Sequence, residues 1–319
     1  DGKYLASPSD DKTIRIWDVS AGKCIHSLEG YKDSTRNVAW SPDGLLLASV
    51  HAPIKEDDEG NLRVWNIGEI ITGQRSEKLP RITEPIHTFI GHHGFIHAVA
   101  WSNDGRRIAS GGGDCAVRIW DSSSGKLIHM FGEPTKKIQE NTKAWVGCIT
   151  WSQDDSSLLC GIDDGTIRIL DVNQFSISRI FAGHTNYVIG IDLSPDQMTM
   201  ISSSGDKTIC VWNFRTGQQV AKIEGHTGRV RNVSYSPNGR VFATHAEDNT
   251  VRLWRASTWQ EIVSFAENAT TNIMPSISFH PHLPILATLG EKDRIIRIWE
   301  LDEAVLLGQA KENVNYTTA

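Results

Sequence analysis

Three sets of side chains in this sequence repeat a chemistry that hydrolases use. In each set a histidine is followed 18 residues later by a serine or threonine, 22 later by an aspartate and 28 later by a tryptophan. The sets are His92, Ser110, Asp114 and Trp120; His184, Ser202, Asp206 and Trp212; and His226, Thr244, Asp248 and Trp254. A nucleophilic hydroxyl needs an exposed oxygen, a base and an oxyanion hole, arranged once. Because the trio occurs three times and each copy has a tryptophan partner that favours burial, we predict that these residues are structural and that the chain is not an enzyme.

Other residue groups suggest a metal or phosphate site but do not have the required spacing. Four histidines lie between residues 87 and 97, yet strand alternation would direct their rings apart and no carboxylate stands at ligand spacing. The stretch DDEG at 57–60 lacks the alternating oxygen ligands and the distal glutamate of a calcium loop. The stretch GGGD at 111–114 is followed by neither a helix nor GK[ST], so it predicts a turn. We therefore expect no metal and no cofactor.

The composition argues against several classes of partner. The net charge is -6 and the lysines and arginines are dispersed, which favours neither nucleic acid nor an anionic membrane. The five cysteines show no CxxC pairing and are odd in number, so a disulfide framework is not expected. No apolar run approaches the roughly 18 residues of a membrane span, and the N-terminus lacks a signal-peptide pattern. These features predict a cytoplasmic protein in a reducing compartment.

A decapeptide typified by SGDKTICVWN, residues 204–213, occurs seven times along the chain. Its ninth position falls at Trp17, Trp65, Trp120, Leu170, Trp212, Trp254 and Trp299. The intervals are 48, 55, 50, 42, 42 and 45 residues. A period in the forties that contains strand patterns is typical of a propeller or a solenoid. Since the repeat runs nearly from end to end, we predict a single domain over residues 1–319.

One repeat contains four short strand patterns separated by turns. From residue 187 onward, YVIGIDL, MTMISS and ICVW predict strands, SPDQ and SGDKT predict turns, and FRTGQQVAKIEG supplies a turn and a more polar fourth strand. In TIRIW, Ile14 and Ile16 point to one face and Trp17 to the other, so both faces of the sheet require burial. Four-stranded sheets covered on both faces predict the radial stacking of a propeller.

These patterns resemble the WD-repeat family over essentially the whole chain. The motifs are GH at 91–92, 183–184 and 225–226, SPDG at 41–44, and WD at 17–18 and 120–121. The resemblance implies an all-β, seven-bladed β-propeller of four-stranded antiparallel blades. It also implies that the three repeated sets are buried tetrads, hydrogen-bonded in series, which tie a turn to the preceding loop.

Four repeats depart from the tetrad pattern. Tyr31 replaces the histidine in EGYKDS, Glu59 lies where aspartate is expected, and Cys160 and Leu170 replace the hydroxyl and the tryptophan of the fourth repeat. The first and seventh repeats keep Ser7, Asp11 and Trp17, and Thr288, Asp293 and Trp299, but lack the histidine. We expect the blades formed by these four repeats to be less rigid than the others.

The two chain ends suggest how a propeller ring closes. The first repeat begins at its second strand, in DGKYLAS, so it lacks an inner strand. The stretch ENVNYTT at 312–318 shares Asn-Val-x-Tyr with RNVSYSP at 231–237, the inner strand of another repeat. We expect this C-terminal strand to pair in the first blade, which would remove exposed sheet edges. The alternative is that the tail leads to a further domain.

The resemblance implies that partners dock on the face formed by the loops between fourth and first strands and between second and third strands. The insertions VHAPIKEDDEG and EPTKKIQENTK belong to that face, and GEIITGQRSEKLPRIT to the opposite one. Aromatic residues enter three inner strands there, with basic residues at the next inward position. These residues are Phe95, Trp145 and Tyr187, and Arg36, His97 and Arg231. Aromatic rings beside cations are the composition of a binding hot spot, although the rings could instead plug the channel wall.

Two functional hypotheses follow. The first is a monomeric, non-catalytic scaffold that binds a protein or peptide through this face. Trp145 is the strongest candidate because it follows an insertion, and a partner with an acidic or aromatic segment suits Arg36 and Arg231. The alternative is a sensory or regulatory propeller domain of a larger multidomain signalling protein, because the chain starts at Asp1 inside a repeat.

Overall fold

A computed structural model describes residues 1–29, 34–51, 59–71, 84–132, 145–267, 276–290, 295–302 and 314–318. Within these residues the chain forms seven β-sheets and one helix of a single turn. The chain divides into two compact units. The N-terminal unit contains Lys3–Cys160 and Ile169–Ser178, and the C-terminal unit contains Asp1–Gly2, Gly161–Arg168 and Arg179–Ala319.

The first three sheets belong to the N-terminal unit. The first sheet contains β1 (Tyr4–Pro8), β2 (Ile14–Asp18) and β3 (Lys23–Leu28). The second contains β4 (Thr35–Trp40), β5 (Leu46–His51), β6 (Glu59–Asn66) and β7 (His87–His93), with helix α1 (Gly68–Ile71) after β6. The third contains β8 (Ile96–Trp101), β9 (Arg107–Gly112), β10 (Val117–Asp121) and β11 (Leu127–Phe131). The fourth sheet has residues in both units and contains β12 (Val146–Trp151), β13 (Ser157–Ile162), β14 (Thr166–Asp171) and β15 (Ser176–Ala182).

The last three sheets belong to the C-terminal unit. The fifth contains β16 (Val188–Leu193), β17 (Thr199–Ser204), β18 (Ile209–Asn213) and β19 (Gln219–Ile223). The sixth contains β20 (Val230–Tyr235), β21 (Val241–Ala246), β22 (Thr250–Arg255) and β23 (Glu261–Ala266). The seventh contains β24 (Ile277–Phe279), β25 (Ile285–Gly290), β26 (Ile295–Leu301) and β27 (Val314–Thr318).

A recurring turn explains why each SPDG-like stretch ends a strand. Ser41 Oγ donates to Asp43 Oδ1 at 2.6 Å, and the same carboxylate oxygen accepts the Leu45 N–H at 3.0 Å. Gly44 takes the left-handed conformation, with a φ of 72°, which costs a glycine little. The same pair of side chains recurs at Ser102 and Asp104, Ser152 and Asp154, Ser194 and Asp196, and Ser236 and Asn238. The serine and the acidic or amide residue therefore fix the turn between the first two strands of these sheets.

The second sheet is buried on both of its faces within the N-terminal unit. Leu47 and Trp65 join a core with Ile14 and Ile16 of the first sheet. Ala48 and other residues of the opposite face join a core with Ile108 and other residues of the third sheet. The burial alternates because successive residues of a strand point to opposite faces. The predicted covering of both faces is confirmed for this sheet.

The sixth sheet shows the same alternation within the C-terminal unit. Phe242 and Trp254 pack in one core with residues of the fifth sheet, and Ala243 and Leu253 pack in another with Leu286 and other residues of the seventh. Among the described residues there are six four-stranded sheets and one three-stranded sheet, and the second and sixth are buried on both faces. This arrangement defines the fold class as an all-β, seven-bladed β-propeller, as the sequence predicts.

The predicted route of ring closure is wrong. The C-terminal strand β27 pairs antiparallel with β26, with Val314 opposite Leu301 and Thr318 opposite Arg297, and it forms the fourth strand of the seventh sheet. The first sheet contains β1, β2 and β3 within the described residues. The shared Asn-Val-x-Tyr pattern fits any half-buried strand, whereas pairing with the preceding strand closes the shorter loop, which is entropically cheaper.

Candidate functional site

The histidine, hydroxyl, aspartate and tryptophan of each repeated set are hydrogen-bonded in series. In the third sheet His92 Nδ1 lies 3.0 Å from Asp114 Oδ1, and its Nε2 lies 2.8 Å from Ser110 Oγ, which also accepts the Trp120 indole N–H at 2.8 Å. The same contacts join His184, Ser202, Asp206 and Trp212, and His226, Thr244, Asp248 and Trp254. The three hydroxyl residues are completely buried. A substrate cannot reach these oxygens, so the sets connect strands and loops and do not form nucleophilic sites.

The tetrad aspartates are held in their ionised form. Burial raises the pKa of Asp114, but the hydrogen bond and charge of His92 and the ion pair with Arg118 outweigh it, so that the pKa is about 2. Arg118 Nη1 lies 2.7 Å from Asp114 Oδ2, and both side chains are buried. The pKa values of Asp206 and Asp248 are also lowered, because hydrogen bonds from the tetrad histidines and neighbouring threonines outweigh burial. An ionised carboxylate accepts both the histidine N–H and the backbone N–H of the following residue.

The seventh sheet contains a related network in which a glutamate replaces the histidine. Glu267 is 1% exposed, and its Oε2 accepts the Thr288 hydroxyl at 2.5 Å. Its Oε1 lies 2.5 Å from Arg297 Nη1, and Trp299 Nε1 donates to Thr288 Oγ1 at 2.8 Å. Glu267 precedes Thr288 by 21 residues and not by 18, so the fixed spacing did not reveal it. The hydroxyl–indole hydrogen bond of the tetrad is thus kept with a threonine, and the threonine hydroxyl donates to a buried carboxylate in place of the histidine.

The first and second sheets keep only part of the tetrad in the described residues. Trp17 Nε1 donates to Ser7 Oγ at 2.9 Å, and Trp65 Nε1 donates to Ser49 Oγ at 2.9 Å. Asp11 accepts hydrogen bonds within its own turn. Tyr31, Asp293 and the side chain of Glu59 lie outside the described residues.

The fourth sheet has neither the hydroxyl nor the indole. Cys160 and Leu170, which replace them, are both buried. Asp164 accepts the Thr166 hydroxyl at 2.5 Å and pairs with Arg168 at 2.9 Å. An aspartate-centred turn therefore persists where the serine–indole hydrogen bond is lost.

In the N-terminal unit, three of the predicted binding residues form a row of aromatic side chains. Phe95 directly precedes β8, His97 is its second residue, and Trp145 directly precedes β12. The ring centroids of Phe95 and His97 are 6.2 Å apart, and those of His97 and Trp145 are 5.1 Å apart. All three side chains are partly exposed. We call Phe95, His97 and Trp145 the ring cluster.

The histidine of the ring cluster is neutral at ordinary pH. Burial lowers the pKa of His97 to about 4, and the positive charge of Arg36 adds to the effect. Arg36 is the second residue of β4. The side chain of the next residue, Asn37, links β4 to β8 by donating to the His97 carbonyl at 3.2 Å. The ring cluster therefore presents three uncharged rings with a cation beside them.

In the C-terminal unit, Tyr187 and Arg231 lie in a group of charged side chains. Tyr187 directly precedes β16, and the Arg229 guanidinium lies 5.6 Å from the centre of its ring. Arg231, the second residue of β20, pairs with Glu247, whose other carboxylate oxygen lies 3.8 Å from Arg229 Nε. We call Arg229, Arg231 and Glu247 the arginine cluster. The basic pattern of the inner strands predicts Arg231, whereas Arg229 and Glu247 lie outside that pattern.

The predicted insertions, metal sites and membrane spans can be compared with the described residues. Most of the three insertions lie outside the described residues, and α1 covers the start of the third. Among the residues that the structure describes, no group of three or more His, Cys, Asp or Glu is arranged to hold a metal ion. Within that same part of the chain, no helix is long and apolar enough to cross a membrane.

The chain belongs to the family described as WD domain, G-beta repeat. The family profile matches residues 1–18, 22–66, 83–121, 132–171, 175–213 and 217–255, which is more than half of the chain. The match agrees with the repeated sheets and the buried tetrads described above, and it confirms the resemblance seen in the sequence.

Several characterised proteins are similar to this chain. Protein FIZZY-RELATED 1 of Arabidopsis thaliana is 28% identical over 239 residues, which cover 66% of this chain and 48% of that protein. Anaphase-promoting complex subunit cdc20 of Dictyostelium discoideum is 28% identical over 258 residues, which cover 66% and 47%. Apoptotic protease-activating factor 1 of Homo sapiens is 26% identical over 224 residues, which cover 63% and 18%. The chain thus spans about half the length of the first two relatives and less of the third.

Proposed function

We propose that this chain is a non-catalytic scaffold that binds a protein or peptide partner through the ring cluster of its N-terminal unit. The observation that carries the proposal is the row of Phe95, His97 and Trp145, whose rings contact one another while remaining partly exposed. Rigid aromatic side chains supply large contact areas at a low cost in conformational entropy, and such residues dominate the energetics of protein interfaces. Arg36 places a positive charge beside them, which suits an acidic or aromatic partner segment.

The relatives support a role in protein assemblies. One of them, from Dictyostelium discoideum, is by name a subunit of the anaphase-promoting complex. The burial of the tetrad hydroxyls supports the non-catalytic part of the proposal, because it removes the one constellation in the sequence that resembles a nucleophilic site. The net charge of -6 with dispersed basic residues favours a protein over a nucleic acid.

The test compares a double variant of the ring cluster with a matched control. Phe95→Ala combined with Trp145→Ala removes two rings, and Phe175→Ala removes a ring that is 41% exposed elsewhere in the same unit. Partners captured by the wild-type chain are identified by mass spectrometry, purified, and titrated against each variant. We expect the double variant to weaken binding by at least about 30-fold, the size of one hot-spot truncation, and the control to leave it unchanged. Equal affinities in a folded double variant would reject the site.

A second candidate is a regulatory domain within a larger signalling protein. The observation that favours it is that the relatives extend well beyond the matched region, to the point that the match covers 18% of Apoptotic protease-activating factor 1. In this case the ring cluster contacts an adjoining domain of the same polypeptide. The native reading frame identifies such a domain, and the ring-cluster variant should then change its activity. A reading frame without a further domain argues against this candidate.

We also propose a cytoplasmic location. The chain has five cysteines, an odd number with no CxxC pair, and such cysteine usage is typical of a reducing compartment. Fractionation of the native source, with an antibody against the chain, tests the location directly, and recovery from a secreted fraction contradicts it.

A further inference from the structure

The arginine cluster places two guanidinium groups on one carboxylate. Arg231 forms an ion pair with Glu247, and Arg229 Nε lies 3.8 Å from the second oxygen of the same carboxylate. The side chain of Arg231 is 11% exposed, that of Glu247 16% and that of Arg229 49%. The cluster therefore has a net charge of about +1, and Arg229 is the more exposed of its two cations.

The backbone holds the Glu247 carboxylate at this place. The Glu247 N–H donates to the Arg229 carbonyl at 2.9 Å, and the pairing of β20 with β21 is irregular between Val230 and Asn232. A side chain at Gly228 would begin 2.5 Å from the Asp248 backbone nitrogen, so the two segments touch. The backbone segments at Arg229 and Glu247 are thus fixed against each other, and this contact places the Glu247 carboxylate beside the arginines.

The ring of Tyr187 lies against the guanidinium group of Arg229. The Arg229 guanidinium lies 5.6 Å from the centre of its ring, which is a cation–π distance. The ring itself lies against Gly205, where a Cβ atom would come within 2.9 Å of it. Arg231 Nε is buried and has no hydrogen-bond partner among the described residues. The cluster therefore offers one positioned and exposed cation, Arg229, which suits a second anionic group.

We propose that Glu247 is an internal stand-in for an acidic side chain of the partner, and that the arginine cluster of the C-terminal unit is a binding site of its own that recognises this side chain. This inference rests on the proposed scaffold function and adds the chemistry of the partner. An incoming carboxylate pairs with Arg229 and reaches Arg231 in competition with Glu247. Removal of the Glu247 charge should then strengthen binding of an acidic segment, whereas a purely structural ion pair predicts no gain.

The experiment uses the purified chain and a fluorescein-labelled hexaglutamate peptide, with labelled hexaglutamine as the uncharged probe. We expect Glu247→Gln to bind hexaglutamate about tenfold more tightly than the wild type, and Arg231→Gln to lose measurable binding. The matched control is Glu261→Gln, which removes the carboxylate of another arginine pair in the sixth sheet, with Arg252 at 2.8 Å. The Glu261→Gln control should bind hexaglutamate with the affinity of the wild type. The wild type and the variants should not bind hexaglutamine.

Several outcomes would overturn the inference. Equal hexaglutamate affinities of Glu247→Gln and Glu261→Gln would do so. A phosphoserine peptide that binds Glu247→Gln far more tightly than hexaglutamate would assign the cluster to a phosphopeptide and not to a carboxylate. Should Glu247→Gln fail to fold, Arg229→Gln decides the question, since it is largely exposed and should weaken hexaglutamate binding about fivefold. If the ring-cluster variant loses the captured partner while Glu247→Gln changes nothing, the scaffold function stands and this inference fails.

Discussion

Ser202 and Ser203 are neighbours in β17, and both are completely buried, yet their hydroxyls have opposite surroundings. Ser202 Oγ lies 2.8 Å from His184 Nε2 and accepts the Trp212 indole N–H at 2.8 Å. Ser203 Oγ has no hydrogen-bond partner in the described part of the chain. Alanine at each position removes the same oxygen from the same strand. The pair therefore isolates the contribution of the tetrad from the effect of burial.

The expected difference follows from the groups left behind. Ser202→Ala leaves a buried imidazole nitrogen and a buried indole N–H without their partner, at about 1–3 kcal/mol for each unsatisfied group. We expect a loss of about 2–4 kcal/mol in the free energy of unfolding, since the structure relaxes in part. Ser203→Ala removes a desolvated hydroxyl that bonds to nothing, so its effect should stay within about 0.5 kcal/mol or be slightly stabilising.

Urea unfolding followed by tryptophan fluorescence gives the two free energies, and hydrogen exchange of β17 and β18 amides shows whether the loss is local. Equal destabilisation by the two substitutions would refute the tetrad argument, because burial alone would then account for both. A larger loss for Ser203→Ala would refute it as well.

Three further predictions concern other networks. Asp192 accepts the Leu193 and Tyr235 N–H groups, and burial raises its pKa to about 6, above an unfolded value of about 3.9. The folded chain keeps this proton to a higher pH than the unfolded chain, so its contribution to the free energy of unfolding is present below about pH 4 and is lost as the pH rises through 6. In urea unfolding Asp192→Asn should lack this pH dependence. Parallel curves of unfolding free energy against pH for the wild type and the variant would contradict the prediction. Glu267→Gln should cost about 2–4 kcal/mol in thermal or urea unfolding, because it removes the charge of a buried carboxylate that pairs with partly buried Arg297 and accepts the Thr288 hydroxyl. Glu261→Gln should cost less than about 1 kcal/mol. Amides of β13 and β14 should exchange faster than those of β21 and β22, because the fourth sheet lacks the serine–indole bond; equal rates contradict this.

The repeated fold was predictable because its local signals agree with one another. The SPDG-like stretches contain the serine and acidic residue that close each turn, and strand alternation places Leu47 and Ala48 on opposite faces of one sheet. The tetrad positions followed from fixed offsets. These signals depend on residues close together in the sequence, so they can be recognised from the sequence alone.

The failures arise where the chain departs from the fixed spacing. Glu267 serves the seventh sheet at an offset of 21 residues, so a search at 18 does not find it. The partner of the C-terminal strand was assigned from three shared residues, although strand patterns do not specify which sheet a strand joins. Arg229 occupies the position of Phe95, Trp145 and Tyr187 in its own sheet, directly before the first strand. Because Arg229 is not aromatic, the aromatic pattern at this position did not include it.

The central claim is that a protein partner contacts the ring cluster. Hydrogen exchange of the chain, with and without its purified partner, measures that contact directly. We predict slowed exchange at the start of β8 and β12, next to Phe95 and Trp145, and unchanged exchange in the outer strand β11. Protection confined to β11, or no protection at the start of β8 and β12 at saturating partner, would contradict the account.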